Sequence, residues 1–150
     1  MRRKRIVLVL PLVLLLMAAS CDNKVSVDNS IKATAALAAT NRAASDLVDN
    51  EQAAGRIDKA TRDAYTVVFK EVARLDDAIL DTLEAAKTAG VLSVAARQSV
   101  VSAVNQMRLR ITAGTFPFIK NPESQAAIAA KIKALTDTLD LLLSVLPTGK

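Results

Sequence analysis

Four acidic side chains, Asp76, Asp77, Asp81 and Glu84, form the densest group of residues in this chain that could do chemistry. On a helix, Asp77, Asp81 and Glu84 fall on neighbouring turns, where a divalent cation could bridge them. Hard cations want six or more oxygen ligands, and neither an EF-hand loop nor a Glu-x-x-His motif accompanies the cluster. The expectation is a solvated helix face, helped by Glu84 and Lys87 three residues apart. The chain has no histidine, the commonest general base and metal ligand. Its serines and lysines form no Gly-x-Ser-x-Gly elbow and no Ser-x-x-Lys motif. With four glycines, neither a phosphate loop nor a dinucleotide fingerprint can be built. The sequence thus nominates no catalytic residue, metal ligand or cofactor, and reads as a non-enzyme. Tyr65 and Phe69, one helical turn apart, read as core packing. Phe116 and Phe118 flank Pro117 in a stiff connection, and two readings stand for them. They offer aromatic surface to a partner or to lipid headgroups, or they plug one end of the fold.

The formal charge of +5 suggests a partner of opposite sign, and its distribution removes that suggestion. Four of the 20 basic residues, Arg2, Arg3, Lys4 and Arg5, precede the first apolar run, and none of the 15 acidic residues does. The remainder holds 16 basic against 15 acidic side chains, a net of +1 without long like-charge runs. No basic stripe is left to grip phosphates, so nucleic acid is not expected as a partner.

The basic start leads into Ile6–Ala19, an uncharged run of 14 residues interrupted by Pro11. A bilayer span takes about 20 apolar residues, so the run suits the apolar region of an export signal. Met17-Ala18-Ala19-Ser20-Cys21 follows, and Cys21 is the single cysteine of the chain. This segment resembles the lipobox of bacterial lipoprotein signal peptides, over about the first 22 residues only. The resemblance implies diacylglycerol on the Cys21 thiol, cleavage between Ser20 and Cys21, and acylation of the new amino terminus. Two acyl chains hold a protein at a membrane stably, where one alone is reversible. Asp22 resembles the signal that retains some Gram-negative lipoproteins at the inner membrane, which implies its periplasmic face. Ala18 departs from the leucine usual at that position. Ala18-x-Ser20 also satisfies the small-residue rule of an ordinary secretory signal cut at the same bond.

The elements that would carry these residues are all helical. Residues 1–20 read as the signal and 21–30 as a lipidated polar tether. Residues 31–146 read as an all-α, up-down four-helix bundle, and 147–150 as a tail. No run shows strand alternation. The first helix, about Ile31–Ala53, is alanine-dense, with seven alanines among residues 33–44. Ile31, Ala35, Ala38, Leu37, Ala44, Leu47 and Val48 would give it a shallow apolar face, the least stable of the four. Gly55 and Asp58 mark a stop and a start, and the second helix follows over about Lys59–Thr88. Its seam is Tyr65, Val68, Val72, Leu75, Ile79 and Leu83, at spacings of three and four. Gly90 and Ser93 repeat the stop and start before a third helix, about Val94–Ala113, with Val100, Val104, Met107 and Ile111 inside. Residues 54–62 match 89–97 at an offset of 35, which fits either an internal duplication or two turns of the same chemistry. Asn121 and Pro122 open the fourth helix, about Pro122–Leu146, whose Ile128, Ile132, Leu135, Leu139, Leu142 and Leu146 should organise the core.

A lipid-anchored helical bundle of this kind would act by binding or scaffolding. Its expected partners are membrane lipid through acylated Cys21 and an unidentified protein. Two alternatives share the same features: a phage-encoded exclusion or lysis accessory lipoprotein, and a bundle holding a small apolar ligand.

Overall fold

A computed structural model describes residues 23–113 and 116–147. The expected cleavage and lipidation at Cys21 lie outside these residues, as do Gly114 and the last three residues. Four helices account for nearly everything described: α1 (Asn23–Ala53), α2 (Lys59–Ala89), α3 (Val94–Ala113) and α4 (Pro122–Val145). No strand occurs among the described residues. They pack as a ring in which α1 neighbours α2 and α4, and α3 neighbours α2 closely and α4 sparsely.

Contacts between helix ends set the directions. Asp49 near the end of α1 takes a 2.6 Å bond from Arg62 near the start of α2, and Lys87 near the end of α2 reaches back 2.9 Å to Asp28. Ser30 lies 3.2 Å from the carbonyl of Val145, while Glu51 meets Ser124 at the opposite end of the α1–α4 pair. Arg97 early in α3 donates to the carbonyl of Pro147 at 3.0 Å, and Arg108 pairs with Asp140. All neighbours are therefore antiparallel, and the bundle runs up, down, up, down.

The turns obey the local chemistry of the sequence. Asp58 accepts from the Thr61 amide at 2.7 Å and caps α2. Ser93 and Asn121 do the same for Ala96 and Ser124 at 3.1 and 3.0 Å. Each satisfies one of the amides that a helix start leaves without an intrahelical partner. Gly90 closes α2 with φ 74°, a conformation that a Cβ makes costly, and its amide reaches the carbonyls of Ala86 and Lys87.

α1 departs from expectation in three ways. It begins at Asn23, so residues 23–30 are helix and not an irregular tether. Its buried seam is Val27, Ser30, Thr34, Leu37, Asn41, Ala44, Val48 and Glu51, at alternating spacings of three and four. Ala35 and Ala38, expected inside, are exposed. Half of the seam is polar, and each polar member has a partner. Ser30 and Thr34 return their hydroxyls to carbonyls one turn back at 2.9 Å, and Asn41 donates across the interface to the Phe69 carbonyl at 2.9 Å. α1 packs against both α2 and α4, so its shallow seam is covered from two sides.

The core otherwise follows the apolar spacing. Leu83, Val104, Met107, Leu135, Leu139 and Leu142 are fully buried. Pro147, expected in a tail, is buried and held by Arg97.

Candidate functional site

The connection into α4 carries the residues singled out for contact, and the structure divides their roles. Phe116 is half-buried and stacks on Tyr65 with ring centroids 4.4 Å apart and planes 9° from parallel. Tyr65 in turn meets Phe69 at 6.2 Å, so three aromatic rings run from the connection into the core. Phe118, two residues on, is 78% exposed, while Ile119 beside it is buried. Phe116 therefore acts as the plug and Phe118 stands free of it.

Between this segment and the first turns of α4 lies an open cleft of about 380 Å³. Phe116, Pro117 and Phe118 form one side of it, and Ile128, Ala129 and Ile132 the other. Among the described residues, Tyr65 and Gln125 supply its only side-chain polar groups, and no charged residue lines it. Tyr65 is buried, which pushes its phenol above the ordinary value. Its hydroxyl makes no hydrogen bond among the described residues. The cleft lies at the end of the bundle opposite the start of α1. A helix of 31 residues spans about 46 Å, so Phe118 and residue 23 are separated by nearly the whole length of the fold.

A polar lock secures the same end. Arg56, in the turn after α1, grips Glu51 with two bonds of 2.6 and 2.7 Å, and Ser124 of α4 donates to the same carboxylate. The bonds from Arg56 and then from Ser124 hold Glu51 down at about 2. A carboxylate so stabilised is a poor base, and Ser124 is 1% exposed, so this pair joins helices rather than activating a nucleophile. Neither Glu51 nor Ser124 carries a sequence signal for this role. Only the antiparallel register of α1 and α4 brings them together.

The acidic group divides as well. Asp77, Asp81 and Glu84 are exposed, as a solvated face requires, and no metal-holding cluster occurs among the described residues. Asp76 differs. It is 5% exposed, one carboxylate oxygen has no partner, and burial followed by the charge of Asp77 raises it to about 7. Phe69, Asp76 and Lys87 lie on one side of α2, and the contacts of Phe69 and Lys87 identify that side as the one facing α1. Asn41 of α1 likewise leaves its carbonyl oxygen without a partner. Lys87 serves Asp28 instead of the expected Glu84.

No helix among the described residues is long and apolar enough to cross a membrane. Compared with protein families, curated proteins and solved structures, the chain matches none.

Proposed function

We propose that this protein is a lipid-anchored extracytoplasmic binding module, held at a membrane through Cys21 and working through the aromatic end of its bundle. Asp22 favours the periplasmic face of the inner membrane in a Gram-negative cell. The observation that carries the binding role is Phe118, 78% exposed beside an uncharged cleft. Large aromatic side chains left in water at a rigid turn are the usual anchors of binding surfaces. The anchor and the cleft fall at opposite ends of α1, which favours a contact made away from the lipid surface over insertion of Phe118 among headgroups. Lipid on Cys21 and the binding of an unidentified partner by the far end are two separate parts of the reading.

Labelled fatty acid should enter the wild-type protein and not Cys21→Ser. A soluble, unlabelled mature protein would favour the ordinary secretory signal instead. A photo-crosslinking residue at position 118 should capture a discrete partner or ligand in cells, and one at exposed Val67 should not. Phe118→Ser should leave the thermal midpoint nearly unchanged, whereas Phe116→Ser should lower it because the Tyr65 stack is lost. Equal melting losses in the two variants would make Phe118 part of the plug and remove the basis for the contact.

A further inference from the structure

The cleft at the far end has features that a mere surface for docking does not need, and they specify an occupant. Its volume of about 380 Å³ is that of a single small molecule. No charged residue among those described lines it, so an ionised ligand would lose hydration without gaining a counter-charge. Aromatic rings of Phe116 and Phe118 flank it, and flat apolar bodies pack well against such rings. At its base Tyr65, only 5% exposed, has a hydroxyl without a partner among the described residues. Apolar atoms laid over this hydroxyl would strip its hydration without replacing it, a cost that a ligand atom able to pair with it avoids. An aliphatic or phenyl side chain from a protein partner would cover that hydroxyl and leave it unpaired. Gln125 offers a second hydrogen-bonding group at the rim, where α4 is exposed.

We propose that the cleft lined by Tyr65, Phe116, Phe118 and Ile128 binds an uncharged aromatic small molecule carrying one hydroxyl or amide group. The ring lies between the connection and α4, and its polar group pairs with the Tyr65 hydroxyl. This rests on reading the far end as a binding surface, and it names what that surface takes.

The chain offers its own reporter, since Tyr65 is its single tyrosine and tryptophan is absent. The full-length protein on phosphatidylcholine vesicles is titrated with 2-naphthol, with empty vesicles as the blank. Binding is followed by naphthol anisotropy, and its location by quenching of Tyr65 emission. Saturable binding with matching Tyr65 quenching is expected. Ala129→Phe, which fills the cleft from an exposed position, should weaken it at least about tenfold, and Ala130→Phe, also exposed but outside the lining, should not. Tyr65→Phe should weaken 2-naphthol about tenfold and leave naphthalene unchanged, the effect of one hydrogen bond. Naphthalene or 2-naphthoate binding as tightly as 2-naphthol would overturn the assigned chemistry. Binding insensitive to Ala129→Phe would overturn the site. If 2-naphthol fails to bind while position 118 still cross-links to a protein in cells, the small-molecule inference fails alone. If both fail, the binding role of this end fails with it.

Discussion

Replacing Asp76 by asparagine should flatten the dependence of stability on pH across the neutral range. In the folded chain this carboxyl is 5% exposed and raised from 3.8 to about 7, by burial first and by Asp77 second. A raised acid is one that the folded state protonates more readily than the unfolded state does. Its favourable contribution is complete below about pH 4, declines as the pH climbs, and has gone once the pH has passed about 7. Between pH 5 and pH 8 the loss amounts to at most about 3 kcal/mol, since each pH unit up to about 7 removes about 1.4 kcal/mol. For a domain of this size that is roughly 10 °C in Tm. Glu51 has the opposite sign, but its window lies between about 4.5 and 2, below the range of interest. Urea unfolding of the wild type and Asp76→Asn at pH 5, 6, 7 and 8 checks this. The wild type should lose stability steadily, and the variant should hold level and exceed it at pH 8. A wild type that is flat over this range, or a variant with the same slope, would refute the account of a buried, largely unpaired carboxyl.

Two further outcomes concern the frame that holds the site. Leu37→Ala and Leu139→Ala should each cost about 2–5 kcal/mol in urea unfolding, because both side chains are fully buried. A small loss at Leu37 alone would restore the view of α1 as a loosely packed helix. Gly90→Ala should cost about 1 kcal/mol in the same assay. Nothing lies within 4 Å of the added Cβ, so the cost would come from φ 74° alone and a neutral result would locate the error in the turn.

The starts of α2, α3 and α4 and the end of α2 are legible in the sequence because single residues decide them. Asp58, Ser93 and Asn121 cap with their own side chains, and Gly90 supplies a backbone that others avoid. The seams of α2, α3 and α4 are legible because nearly every buried position there is apolar. α1 misleads for a physical reason. Ser30, Thr34, Asn41 and Glu51 occupy half of its seam, and a search for apolar spacing passes over them. Their burial is made tolerable by carbonyls one turn back, by Phe69 and by Arg56 with Ser124, and several of those partners are distant in sequence. Asp76 escapes for the same reason, since it belongs to the acidic run by type and to the α1-facing side by angle. At the site, the aromatic pair around Pro117 is visible. The division between a stacked Phe116 and a free Phe118 is not, because it depends on Tyr65, about 50 residues earlier.

The pairing of α1 with α4 has a consequence for how the chain is made. These are the first and last of the described helices, and Ser30 meets the backbone of Val145 across a sequence separation of 115 residues. A ribosome adding about 5–20 residues per second needs several seconds to pass from the end of α1 to the end of α4, about 90 residues later. Throughout that interval the α4-facing side of α1 has nothing to cover it, and the ring cannot close. Early stop codons before Pro122 would leave the same side permanently uncovered, giving a product suited to proteolysis.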